Sequence, residues 1–198
     1  GLTATPYNEE MNSVYDEIIF QRHIIDMIDD NYLVEPRAIL VQSDTDLSNV
    51  HTLAGEFKLN ELEDTVNNDT RNNLVVDAYV KYASNKPNCL VFATGVDHCD
   101  AITESFNRRG IKAYSVDASV DATERDNIIS GFKSGKYKVL VNIGVLTTGF
   151  DMEDLSTIII ARPTKSRILY EQILGRALRT HPTKSEALII DIVDVSSK

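Results

Sequence analysis

The sequence predicts an α/β protein, a parallel β-sheet covered by helices on both faces. Three observations carry that prediction. Short apolar runs recur through the second half, at residues 89–94, 111–117, 138–143, 156–162 and 187–193. They are continuous in Val, Ile and Leu, not alternating with polar residues, as strands buried on both faces require. Segments of helical period separate several of them, which is how parallel strands are joined.

Each element follows in order. Residues 15–21 are predicted as a strand, 22–32 as a helix and 38–42 (AILVQ) as a strand. Residues 43–56, rich in Asp, Ser, Thr and Gly, are expected to form a loop, and 60–84 a longer helix with the Asn-rich stretch 67–73 on its surface. A turn containing Pro87 precedes the strand CLVFAT at 89–94. A helix from Asp97 to Arg109 places Ala101, Ile102, Ser105 and Phe106 on one face, and Gly110 stops it. After the strand at 111–117, Asp121 opens a helix with Ile128, Ile129 and Phe132 at apolar spacing, ended by Gly131 or Gly135. Strands at 138–143 and 156–162, a helix at 166–179 and a strand at 187–193 complete the chain.

Composition narrows the class. The 198 residues are 42% hydrophobic and 25% charged, ordinary for a globular protein. A chain of this size buries about 70% of its unfolded surface, so its core needs no disulfide or metal staple. No apolar run approaches the roughly 18 residues that span a bilayer, and no signal segment opens the chain. Two cysteines, Cys89 and Cys99, fit a reducing compartment, so a cytoplasmic location is expected. The chain opens on Gly1 and its first Met is Met11, which suggests a removed tag or a piece of something longer. Residues 1–87 hold 16 acidic against 6 basic side chains, a net of −10, while residues 88–198 hold 14 of each. That balance excludes a protein that coats nucleic acid through a basic surface. It leaves room for one that touches a few phosphates through dipoles and hydroxyls.

Two segments concentrate chemistry. In YEQILGRALR (170–179), Gln172, Gly175, Arg176 and Arg179 fall at i, i+3, i+4 and i+7, on one helical face. Two guanidiniums and an amide, with a glycine allowing close approach, suit phosphate oxygens that Arg meets bidentately. The plainer reading is surface ion pairing, with Glu171 at hand. The second segment is GVLTTGFD (144–151), a loop at the carboxyl end of a strand, where open α/β sheets bind ligands. Gly149 permits close backbone approach, Thr147 and Thr148 offer hydroxyls, and Asp151 can accept from a ribose hydroxyl.

Taken in order, these segments resemble the C-terminal RecA-like domain of superfamily 2 helicases and translocases. CLVFATGVDH (89–98) looks like motif IV, GVLTTGFD like motif V, and YEQILGRALR carries the complete Q-x-x-G-R-x-x-R of motif VI. ATERDNIISGFKSG (122–135) resembles the segment that precedes motif V in the family. GLTATP (1–6) has the form of motif III, at the end of the first RecA-like domain. The resemblance therefore implies an RecA-like (P-loop NTPase type) sheet preceded by an α/β linking segment. Its divisions would be 1–6 as the end of a first domain, 7–87 as linking segment and start of the second, and 88–198 as the helicase C-terminal domain. Within the superfamily the chain is most similar to the RadD-like and XPB-like group, which includes restriction-enzyme motor subunits. It departs from that group at Glu153, where a proline is usual.

What the resemblance implies about sites follows residue by residue. Arg179 would be the arginine finger, Arg176 a second γ-phosphate contact, and Gln172 a coupler of nucleotide and nucleic-acid states. Gly149, Asp151 and Gly175 would meet the nucleotide, and Thr94, Gly95 and Thr147 the nucleic-acid backbone. Thr3 and Thr5 would couple hydrolysis to domain closure. ATP and Mg²⁺ would be held mainly by an upstream RecA-like domain, because these 198 residues contain no G-x-x-x-x-G-K-[ST], and the resemblance places the acid box for magnesium upstream as well. This chain alone is then expected not to hydrolyse ATP. The expected partner is DNA, with RNA not excluded, and no membrane. The competing readings are a solitary nucleic-acid or partner-docking module and a nicotinamide-dependent enzyme; the lack of a G-x-G-x-x-G after a strand counts against the latter. No metal site is expected at Cys89, His98 and Cys99, which lack a C-x-x-C pair. Arg125 is expected to anchor a loop.

Overall fold

The computed structural model describes residues 14–144 and 151–195. Their elements are α1 (Ile24–Asp29), β1 (Glu35–Asp46), β2 (Thr52–Leu53), β3 (Glu56–Phe57), α2 (Leu59–Val66) and α3 (Asp69–Tyr82). There follow β4 (Cys89–Phe92), α4 (Val96–Arg108), β5 (Ala113–Val116), α5 (Ala122–Lys133), β6 (Val139–Asn142), β7 (Thr157–Ile160), α6 (Arg167–Ala177) and β8 (Glu186–Val195).

Six strands form one sheet in the order β1-β8-β7-β4-β6-β5, and every neighbouring pair is parallel. The apolar runs explain its centre. In β4, β6 and β7 every residue is buried, and alternate side chains enter opposite cores. Cys89, Val91, Val139, Val141 and Ile159 pack with Val75, Val76 and Tyr79 of α3 and with Ile102 and Phe106 of α4. Leu90, Phe92, Leu140, Ile158 and Ile160 pack with Phe132 of α5 and with Ile173 and Ala177 of α6. Helices thus cover both faces. β1 lies in this same sheet, paired along β8 from Glu35–Glu186 to Gln42–Val193.

The first half departs from its sequence pattern in three places. Residues 15–21 form no strand, and Ile18, Ile19 and Phe20 are exposed; an apolar run makes a strand only where a ladder partner receives it. The loop expected at 43–56 is partly ordered, because β1 continues to Asp46 and β2 pairs antiparallel with β3. Positive φ angles at Ala54 and Gly55 (51° and 82°) turn that two-residue hairpin. The helix expected over 60–84 is two helices, broken where Asn67 caps α2 and the Asn68 side chain accepts the Arg71 N–H to start α3. The break rotates Arg71 and Asn72 into the interior, while Asn68, Asp69 and Thr70 stay on the surface.

The later helices end as their glycines suggest. Gly110 and Gly135 take φ angles of 72° and 73° just past α4 and α5. Gly131 is inside α5, where a Cβ would lie 2.8 Å from the Tyr137 ring. Arg125 does anchor a loop, donating to the carbonyls of Val120 and Ala118.

Candidate nucleotide and nucleic-acid site

Because all six strands run the same way, their carboxyl ends share one edge, and the loops leaving it gather the candidate residues. On the α6 side, Gln172 and Arg176 lie on the helix and Gly175 is exposed on it. A Cβ at Gly175 would meet nothing within 4 Å. A glycine inside a helix costs about 1 kcal/mol relative to alanine, and no neighbour among the described residues accounts for it. The surface is open to an approaching group.

Arg179 departs from the expected stripe. α6 ends at Ala177, Leu178 caps it, and the Val34 N–H donates to the Leu178 carbonyl at 2.8 Å. Arg179 therefore continues as an extended residue bridged to Leu33. Its guanidinium pairs with Asp151, on the segment that follows β6. Glu171, the partner of the plainer reading, is taken by Arg167 at i, i−4. Burial, and after it the neighbouring Arg179 charge, lowers the Arg176 pKa, with Asp151 acting the other way. Two guanidiniums and one carboxylate thus share a partly exposed patch. Gly149 and Thr147 lie outside the described residues, as do Thr3 and Thr5.

Thr94 and Gly95 lie at the carboxyl end of β4, opening α4. Thr94 is 2% exposed, and its N–H donates to His98 Nδ1 at 3.2 Å. The α4 N-terminus is capped from outside the helix: Glu63 of α2 accepts the His98 N–H at 2.9 Å, and a Cβ at Gly95 would collide with its carboxylate. His98 is fully buried, and burial, with the Arg71 charge adding to it, holds its pKa down at about 3. Neutral in the fold, it takes up a proton on unfolding anywhere between that value and its ordinary 6.5. Stability from this group is complete above about pH 6.5 and is lost as pH falls. His98→Asn is expected to flatten the acid limb of stability by up to one proton, about 1.4 kcal/mol per pH unit. Urea midpoints from pH 7 to 4 would check it; an unchanged slope would assign the acid limb to other groups.

Sequence patterning did not reveal the contacts that hold this edge together. Glu56, on β3, takes the Thr164 hydroxyl and the N–H groups of Lys165 and Ser166 (3.0 and 3.1 Å), fixing the entry to α6. Burial alone would raise its pKa, but the bonds from Lys165, Thr164, Phe57 and Ser166 leave it below the ordinary range. Lys165 also stands over the Phe57 ring, 4.6 Å from its centre. At the other end of α6, Lys184 donates to the Ala177 carbonyl. Each contact is made by one charged residue reaching a loop or helix end away from it in sequence, or a ring across the fold, a pattern with no sequence signature.

A six-stranded parallel sheet with helices on both faces, and an arginine-bearing helix at its carboxyl edge, is the architecture of the RecA-like motor domains. The family of helicase conserved C-terminal domains matches residues 70–181, and the chain belongs to it, as the second RecA-like domain of superfamily 2 proteins. Over 189 residues, 94% of this chain, it is 36% identical to IRC3 of Saccharomyces cerevisiae, named as an ATP-dependent helicase. Over 143 residues, 72% of this chain, it is 29% identical to the ATP-dependent DNA helicase uvsW of Enterobacteria phage T4. It spans 27% and 28% of those two proteins. A fragment structure of an HsdR subunit of a type I restriction enzyme from Vibrio vulnificus shares the fold. That match has a TM-score of 0.72 and 19% identity, over 96% of this chain and 38% of that one. Among the described residues no helix is long and apolar enough to cross a membrane.

Proposed function

We propose that this chain is the second motor domain of an ATP-dependent DNA helicase or translocase, and that it supplies arginines to ATP held by a first RecA-like domain. The observation that carries the reading is the Arg176–Arg179 patch, with Asp151 as its counter-charge, beside the open surface at Gly175. An ATP phosphate chain approaching it would take over the Arg179 guanidinium from Asp151 and free that carboxylate for a ribose hydroxyl. Arg176, held close by α6, would meet the same phosphates, and Gln172 would sit one turn back on the helix. The first domain would hold the phosphates and Mg²⁺, which screens their charge during transfer. DNA is favoured over RNA because uvsW, at 29% identity, is named as a DNA helicase.

The nucleic-acid backbone would pass the α4 N-terminus at Thr94 and Gly95, and the segment around Thr147. A phosphate arriving at α4 would displace the Glu63 carboxylate, which now takes the His98 N–H that a phosphate would use. Glu63→Gln is therefore expected to tighten single-stranded DNA binding severalfold, measured by fluorescence anisotropy at fixed salt. Unchanged affinity would remove Thr94 and Gly95 from the contact.

The test is ATP hydrolysis by the longer protein that carries this chain, with and without DNA or RNA, beside its Arg179→Ala variant. DNA-stimulated hydrolysis that collapses in the variant supports the reading. Equal stimulation by RNA would remove the preference for DNA, and no stimulation at all would favour the binding-module reading.

A further inference from the structure

Lys184 follows α6 in a tight turn, its N–H donating to the His181 carbonyl at 2.9 Å. Its ammonium is partly buried and reaches three backbone carbonyls: Glu153 at 2.6 Å, Ala177 at 3.0 Å and Leu155 at 3.2 Å. A lysine has three N–H donors, so all of them are engaged. Two of the acceptors belong to the stretch that continues from Asp151. The third ends α6, two residues before Arg179. A cation at that end also complements the helix dipole.

The Asp151–Arg179 pair cannot maintain this alignment itself. Its side chains are 65% and 40% exposed, respectively, and such pairs contribute about 0–1 kcal/mol. It must also open when Arg179 turns to a phosphate. Lys184 contacts main chain alone at these three points, so its grip is indifferent to where the Arg179 side chain points.

We infer that Lys184 is a positioning residue for ATP hydrolysis, fastening the segment that bears Asp151 to the end of α6, from which the chain leads into Arg179. The inference rests on the role given to Arg179 above. Misplacing a reacting group by about 1 Å costs on the order of 10²-fold in rate, and release of these three bonds frees both segments to shift by that much.

The experiment uses the longer protein with saturating DNA. Lys184→Met keeps the length of the stem and removes the donors. It is expected to lower kcat about 10- to 100-fold, with KM for ATP changed less than about threefold, in a protein still folded at the assay temperature. A purely structural lysine would instead lower the thermal midpoint and leave kcat per folded molecule intact. On an Arg179→Ala background, Lys184→Met is expected to cost nothing further, because both act through one guanidinium. Lys184→Arg keeps the charge but offers a planar fork in place of a compact ammonium. The same non-additive fall is expected, and this variant serves if Lys184→Met does not fold. Full kcat in either variant, or losses that multiply with that of Arg179→Ala, would overturn the inference. If Arg179→Ala itself keeps wild-type hydrolysis, the functional reading fails and the role of Lys184 fails with it. If Arg179→Ala collapses while Lys184→Met does not, the positioning role alone is lost.

Discussion

In the longer protein, if this chain serves as the proposed second motor domain, Arg179→Ala is expected to reduce DNA-stimulated ATP hydrolysis about 10³-fold or more, roughly 4 kcal/mol of transition-state stabilisation. The loss should fall on kcat. In phosphoryl transfer the charge on the transferred group's oxygens is best met by a donor that arrives in the transition state, so removing it spares ground-state binding. The fold should tolerate the change, because what it removes inside this chain is one exposed ion pair with Asp151. Arg179→Lys is expected to recover little, since a point charge cannot replace a planar fork on two oxygens. Steady-state hydrolysis beside a thermal melt separates the cases. A residual rate within tenfold of wild type, at unchanged stability, would move the finger elsewhere, with Arg176 next in line.

The second half of this fold was legible because its strands are buried on both faces. Ile158, Ile159 and Ile160 announce a strand regardless of which core each one enters. The helix bearing Gln172 and Arg176 was legible for a related reason, since polar spacing on a helix survives as a sequence pattern. The sequence pattern carries the helix to Arg179, two residues past its observed end at Ala177, because the end at Leu178 is set by Val34 across the fold. The β2–β3 hairpin was missed because two-residue strands leave no period to detect. The break at Asn67–Asn68 was missed although cap residues stand there, because the apolar pattern of Leu62 and Val66 runs on into Val75 and Val76. Glu56, Glu63 and Lys184 lie deeper still. Each acts on backbone atoms of a distant loop, and local sequence holds no record of which amides or carbonyls will come within reach.

Arg71 is the extreme case, and Arg71→Met is expected to destabilise the fold by about 3–5 kcal/mol. Its side chain and that of Asp194 are each 1% exposed. Nε and Nη2 each donate to Asp194 at 2.7 Å, Nη1 donates to the Ala161 carbonyl at 2.8 Å, and the Ser43 hydroxyl also donates to Asp194. One guanidinium thereby joins α3 to the ends of β7 and β8, with β1 attached through Ser43. Removing it leaves a carboxylate in the interior with its main counter-charge gone, which costs more than the pair itself contributes. The double variant Arg71→Met/Asp194→Leu should therefore recover most of the loss, because two apolar side chains fill the site without a stranded charge. Urea unfolding of the single and double variants tests this. A single-variant loss below about 1 kcal/mol, or a double variant no better than the single, would show that the charge is not what holds these elements together. Function should follow stability only in part. Ala161 immediately precedes the Arg162–Ser166 loop into α6, so the double variant, folded but without the Nη1 bond, should still slow ATP hydrolysis by the longer protein that carries this chain.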